Sequence, residues 1–286
     1  MSTVLLGLGA RSKAYPAGMA RLLERRPDVS CPEATTAAAA SWWCAEELRP
    51  PDRGTGEAPP VPGSRGRPTL TAMGRHVVWD WNGTLVDDHV AVVAAINDAL
   101  ALLRLRPIDS DTFRTHYTRP VQRFYEQVAG REIEPGEWQT LDEAYHHSYA
   151  GWVERLELAP DAREALAAAE AAGLGQSLLS MWRHRDLVPL VERLGIDRYF
   201  LRVDGLRVAG GGGKAEHLVA HLDALGVEAS AALLVGDSLD DLAAAQEVGA
   251  GCVLYDGGSH HRRALEATGA PVVDRLTDAV AYASVS

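Results

Sequence analysis

Residues 77–88 read VVWDWNGTLVDD, and this stretch decides the fold. Val77–Trp79 is a short apolar run with strand character, and Asp80 stands where it ends. Downstream, strand and helix patterns alternate. Helical periodicity covers Val90–Leu105, and several amphipathic helical stretches fill 110–158 with little strand signal. Ala162–Ala172 is alanine-rich and helical, Gln176–Leu179 has the pattern of a buried strand, and a helix is predicted over Asp186–Leu194. Tyr199–Val203 is a strand candidate, Lys214–Leu225 a helix, Ala232–Val235 a strand, Leu239–Val248 a helix and Cys252–Leu254 a strand. Such alternation predicts an α/β fold, with a Rossmann-like parallel sheet carrying helices on both faces. The helical block falls between the first strand and the next, so it reads as an inserted α-helical cap. The expected division is a core over 73–88 and 160–286 and a helical cap over 89–159.

The chain upstream differs. Nine of the 15 prolines precede residue 73, and residues 50–68 form a Pro/Gly/Arg run that cannot build a core. Residues 1–72 are therefore expected to be a disordered or low-complexity extension, with a short helix near Ala17–Arg25 and Met73 as an alternative start. Val4–Ala10, VLLGLGA, runs into a G-x-G, but Ser12 occupies the third glycine position of a dinucleotide fingerprint.

The chain has 286 residues, 47% of them hydrophobic, and a formal net charge of −11. An acidic balance offers no electrostatic footprint for nucleic acid. A protein of this charge that binds phosphate must gather its positive charge locally. The cysteines, Cys31, Cys44 and Cys252, are odd in number and show no C-x-x-C spacing. A disulfide framework or zinc site is not expected, and a reducing, cytoplasmic location fits. The short apolar start lacks a basic flank, and no run reaches membrane-spanning length, so neither a signal peptide nor a membrane partner is expected. Oligomeric state is not readable from the sequence.

In open parallel sheets, ligands bind beyond the carboxyl ends of the strands. Four signals fall in order at such places: VVWDWNGTLVDD with Asp80, SLLSMW with Ser180, Lys214 after a glycine run, and LLVGDSLDD with Asp237 and Asp241. This ordered set resembles the haloacid dehalogenase-like hydrolases, specifically the helical-cap phosphatases and their phosphoglycolate phosphatase branch. The resemblance covers about residues 75–286. It implies a magnesium-dependent phosphatase of a small phosphorylated metabolite, working through an aspartyl-phosphate. Asp80 would be the nucleophile, because a carboxylate attacking phosphorus divides one hard displacement into two easier ones. Asp80, the backbone carbonyl of Asn82 and Asp237 would hold Mg2+. Ser180 and Lys214 would hold the phosphoryl oxygens, Gly83 and Thr84 would help cradle the phosphate, and Asp241 would support the metal water or Lys214.

Each residue also has a plainer reading. Ser180 can be a helix cap and Lys214 a solvated lysine. GGGGKA at 210–215 is not a P-loop, since Val208 replaces the first glycine and Ala215 the Ser/Thr.

One departure from the family matters. Its usual D-x-D is here Asp80-Trp81-Asn82. The second aspartate normally protonates the leaving alcohol and then activates water, help worth about two to four powers of ten in rate. An amide does neither, so either the leaving group needs little protonation or another group supplies the proton. His89 and His184 are the nearer candidates; His116, His146 and His147 are more distant ones. Arg119 and Arg123, in TRPVQR, could meet a second anionic group, and Arg183 also falls near the expected cleft. Trp81 and Trp182, after two strand ends, are read as packing or hinge residues before substrate stackers. No lysine lies between Asp80 and Lys214, which argues against Schiff-base phosphonate chemistry. A phosphometabolite-binding or regulatory protein with weak or no turnover remains the alternative.

Overall fold

The computed structural model describes residues 76–207 and 212–285. The expectations for 1–72, Met73, Cys31, Cys44, Val208 and the first half of the glycine run (Gly210 and Gly211) lie outside those residues.

The first strand, β1 (His76–Trp79), is followed by a two-residue strand β2 (Val86–Asp87) and four helices: α1 (His89–Leu102), α2 (Ser110–His116), α3 (Val121–Ala129) and α4 (Pro135–Ala150). A second two-residue strand, β3 (Glu157–Leu158), pairs antiparallel with β2. Next come α5 (Ala162–Ala171), β4 (Gly175–Arg183), α6 (His184–Arg193), β5 (Arg202–Leu206), α7 (Lys214–Leu225), β6 (Ala232–Gly236) and α8 (Leu239–Val248). The chain ends through β7 (Gly251–Tyr255), α9 (Arg262–Glu266), β8 (Val272–Val273) and α10 (Leu276–Val285).

Six strands form one sheet in the order β5-β4-β1-β6-β7-β8, and every neighbouring pair is parallel. Side chains alternate across it, as a period of two requires. Val77, Trp79, Leu178 and Val235 enter the core shared with α5, α6 and α10, while Val78, Leu179 and Leu234 enter the core under α7 and α8. Burial on both faces explains why these strands read as continuous apolar runs. Each buried Val or Leu contributes roughly 1.5–3 kcal/mol. The buried Trp79 indole donates to Gln176 at 3.0 Å, and Gln176 donates to the Leu166 carbonyl at 3.0 Å, so these polar atoms cost little.

The four-helix block has its own core of Ile96, Leu100, Phe113, Phe124, Tyr125 and Leu141. Its first helix buries Ala91, Ala95, Ile96, Ala99 and Leu100, the stripe a 3.6-residue period selects. Pro135 starts α4, and Glu134 and Glu137 close a reciprocal capping box there. Both chain connections to the block pass through the β2–β3 ribbon. Among the described residues, no helix is long and apolar enough to cross a membrane.

Candidate active site

Three adjacent strands, β4, β1 and β6, bring the sequence signals together. Asp80 follows β1 directly, and its N–H donates to the Val235 carbonyl of β6 at 2.8 Å. Asp237 follows β6, so the two carboxylates leave neighbouring strand ends side by side. The Thr84 hydroxyl lies 3.4 Å from Asp80 Oδ2 and 3.4 Å from Asp237 Oδ1; its single proton serves one at a time. Asp237 Oδ2 accepts the Ser259 N–H at 2.6 Å. Gly83 turns the chain here with φ of 70°, and a Cβ on it would stand 2.5 Å from Asp237 Oδ2. Gly258 closes the other side, where a Cβ would come within 2.1 Å of the same oxygen. Only glycine fits at either place.

Lys214 opens α7, and its buried ammonium bridges Asp80 Oδ1 and Asp241 Oδ1. Asp241 is placed by a capping box. Ser238 caps α8, and Asp241, three residues on, accepts the Ser238 N–H at 3.0 Å and its hydroxyl at 2.6 Å. The S-L-D-D spacing therefore both starts a helix and aims a carboxylate at the lysine.

Asp80, Asp237 and Asp241 offer oxygens within 4.8 Å of one another, against one ammonium. The excess negative charge shows in their protonation. Burial, then the neighbouring charges of Asp80 and Asp241, push Asp237 up to about 8. Burial raises Asp80 to about 6; the Lys214 charge opposes the rise and Asp241 adds to it. Burial also pushes Asp241 upward, but Lys214 and Ser238 outweigh it and leave the group below the usual carboxylate range. Burial alone would lower Lys214, yet Asp241 and Asp80 hold it above its ordinary value. A buried cluster of hard oxygens with surplus negative charge fits a divalent cation.

Asn82 is held by partners the sequence did not disclose. Its amide N–H groups donate to Asp88 Oδ2 at 2.7 Å and to the Tyr149 hydroxyl at 3.0 Å. Tyr149 in turn donates to Asp88 Oδ2 at 2.7 Å. Asp88 also accepts the Gly83 N–H at 2.9 Å, so that donor, expected at a phosphate, is committed within the protein. Burial holds the Asp88 carboxyl above its ordinary range. The one sequence signal for Asp88 was the doublet that closes VVWDWNGTLVDD. Tyr149, on α4, carried none.

A single cavity of about 360 Å3 is lined by Asp80, Asn82, Gly83, Ser180, Lys214, Asp237 and Asp241. Ser180 is buried, and its hydroxyl accepts the Trp182 N–H at 3.0 Å. His89, Arg119 and His146 also line the cavity. His89 packs edge-on against Phe113 at 5.4 Å, and its buried Nε2 makes no hydrogen bond. Arg119 reaches Asp240 at 3.5 Å. Arg123 and Arg183 are not among the lining residues. Neither is His184, whose Nδ1 accepts the Gly205 N–H at 3.2 Å. His116 faces Gln127 at 3.3 Å and His147 is exposed. Trp81 is fully buried in the main core, whereas Trp182 forms cavity wall.

A doubly wound parallel sheet whose central strands bring buried carboxylates and a lysine to one cavity is the arrangement of a hydrolase. The family model of the haloacid dehalogenase-like hydrolases matches residues 75–249, and the chain belongs to that family. It is 32% identical over 184 residues to a phosphoglycolate phosphatase of Yersinia pestis, covering 63% of this chain and 79% of that protein. It is 28% identical over 211 residues to a phosphoglycolate phosphatase of Pseudomonas fluorescens, covering 71% of this chain and 77% of that protein. A haloacid dehalogenase-like family hydrolase from Streptococcus pneumoniae shares the fold, with TM-score 0.64 at 18% identity over 73% of this chain and 97% of that one.

Proposed function

We propose that the protein is a magnesium-dependent phosphatase of a small phosphorylated metabolite, with Asp80 as the nucleophile. The observation that carries this reading is the buried Asp80 carboxylate, held by Lys214, beside Asp237 at the wall of one cavity.

An Asp80 oxygen attacks phosphorus, the bond from phosphorus to the ester oxygen breaks, and that oxygen leaves with the electron pair. Water then attacks the aspartyl-phosphate, breaking the bond from phosphorus to the Asp80 oxygen, and inorganic phosphate departs with the carboxylate restored. Ser180 and Lys214 hold the non-bridging oxygens, the lysine as a point charge. Mg2+, held by the carboxylates of Asp80 and Asp237 and the carbonyl of Asn82, supplies the positive charge that lets two anions meet. Asp241 keeps Lys214 in place. Asn82 cannot act as acid or base, and its amide serves to hold Asp88 and Tyr149. The block α1–α4 acts as a cap that excludes bulk water.

The test is phosphate release from 4-nitrophenyl phosphate by the purified chain. Release is expected with Mg2+, and its loss is expected with chelator and in Asp80→Asn. Ligand binding without turnover in the native protein would instead favour a phosphometabolite-binding or regulatory protein.

A further inference from the structure

Resting on the phosphatase reading, we propose that the substrate is an aryl phosphate: a phosphate ester of a phenolic oxygen, whose ring system occupies the chamber inside the four-helix block. The cavity that holds Asp80 and Lys214 does not end at the strand tips. It continues between the helices along Tyr117, Trp138 and Tyr145, with Val92 beside them.

The rings form a continuous path. Trp182, two residues beyond Ser180, meets Tyr149 edge-on at 6.0 Å, and Tyr149 stacks on Tyr145 at 5.8 Å. Tyr149 is also the residue whose hydroxyl joins Asn82 and Asp88. The aromatic wall thus begins at the phosphate end and leads away from it. Offset and edge-on faces of this kind receive another ring well. The volume of about 360 Å3 lies within the roughly 300–1,000 Å3 of sites that enclose organic ligands.

Charge argues in the same direction. Six aspartates line the cavity against one lysine and one arginine. The lysine is held by Asp80 and Asp241, and Arg119, expected to meet a second anionic group, is held by Asp240 at 3.5 Å. A substrate whose organic part bears a carboxylate finds no unengaged lysine or arginine among the described lining residues. An uncharged ring meets apolar walls.

Asn82 supplies the third observation. Both N–H groups of its amide are committed, and an amide does not protonate a departing alkoxide. A phenolate leaves with its electron pair unaided and takes its proton from water afterwards, whereas an alkoxide requires an acid at the moment of departure. The chamber and the missing acid select the same chemical class.

The experiment compares kcat/KM, in saturating Mg2+, for four esters. They are 2-naphthyl phosphate, acetyl phosphate (good leaving group, no ring), 2-phenylethyl phosphate (ring, poor leaving group) and phosphoglycolate (neither). The naphthyl ester is expected to exceed phosphoglycolate by about a hundredfold or more, and each single-feature ester by about tenfold. In Val92→Phe, which fills part of the chamber, and in Tyr145→Leu, which removes a wall, the naphthyl-to-acetyl ratio should fall about tenfold. That ratio is taken on each variant separately, so loss of folded protein cancels. Metal-dependent, Asp80-dependent turnover in which acetyl phosphate or phosphoglycolate matches the naphthyl ester overturns the substrate class and leaves the phosphatase standing. A ratio unmoved in both variants does the same. No metal-dependent release from any of the four overturns both.

Discussion

At the scale of single residues, the pairing of Asn82 with Asp88 is the feature that separates this site from the D-x-D pattern. The sequence exposed half of it. Asn82 was visible as a departure, because strand-end position and spacing from Asp80 identify it. Asp88 was not, since the turn that folds it back onto Asn82 depends on the Trp81 carbonyl accepting from Thr84 at 3.2 Å and Val86 at 3.0 Å. Restoring an acid at 82 therefore needs two changes. Asn82→Asp alone sets a second carboxylate about where the amide donated to Asp88 at 2.7 Å. Carboxylates so close cannot both stay ionised, so the pair either repels or must take up a proton that the native amide pair does not need. The single variant should melt at a lower temperature than the native protein and gain little activity on alkyl phosphates. Asn82→Asp with Asp88→Asn exchanges the two roles and should recover the melting temperature. It should also raise kcat/KM for 2-phenylethyl phosphate by about ten- to a hundredfold over the native protein. Simple additivity of the two changes, in melts and in kinetics, would contradict this account.

At the scale of elements, the sequence was most informative where packing and capping agree. α7 and α8 begin and end at the expected residues, since each has a clear apolar face and α8 a Ser cap. The strand expected from Tyr199 starts later, at Arg202, because Asp197–Tyr199 form a 3-10 turn that buries the Tyr199 ring. The two-residue strands β2, β3 and β8 are too short to leave a period in the sequence. Nor did the sequence reveal the buried polar relay that ties β1, β4, α7 and β5 together. His76 meets the Ser177 hydroxyl at 2.7 Å, His221 meets the same hydroxyl at 2.8 Å, and His221 meets Asp204 at 2.8 Å.

Burial, then the nearby His221, lower His76 from 6.5 to about 4. The unfolded chain binds a proton between those values that the folded chain refuses. His76 therefore contributes its full stability above pH 6.5, and loses it as pH falls toward 4, up to about 3 kcal/mol. The raised Asp80 and Asp237 act in the opposite sense without metal, so the measurement belongs in saturating Mg2+. Thermal melts should fall from pH 7 to pH 5, and His76→Gln should flatten that slope. An equal slope in the variant would remove His76 as its cause.

At the scale of the whole molecule, the fold was legible because four short signals fall in the order a parallel sheet demands: Asp80 and Asp237 directly after strands, Ser180 near the end of β4, and Lys214 at the start of the helix that follows β5. The chamber was not, since its rings come from separate helices and from the end of β4, and only folding brings them to one wall. The block meets the core through Arg119 and Asp240 at 3.5 Å, Arg114 and the Gly257 carbonyl at 3.2 Å, and His261 and Asp111 at 3.3 Å. Of these, the Arg119–Asp240 pair lines the cavity, and the Tyr149 ring against Trp182 at 6.0 Å and the Tyr117 ring against His260 at 5.5 Å add apolar contact between block and core.

The most direct test of the central claim is to trap the covalent intermediate. Native protein mixed with Mg2+ and 4-nitrophenyl phosphate, quenched in acid within a turnover and digested, should yield one phosphorylated peptide. Mass spectrometry should place the phosphoryl group on Asp80, labile to hydroxylamine and absent when chelator replaces Mg2+. Continued phosphate release with that peptide unmodified, or with the group on another residue, would contradict the account.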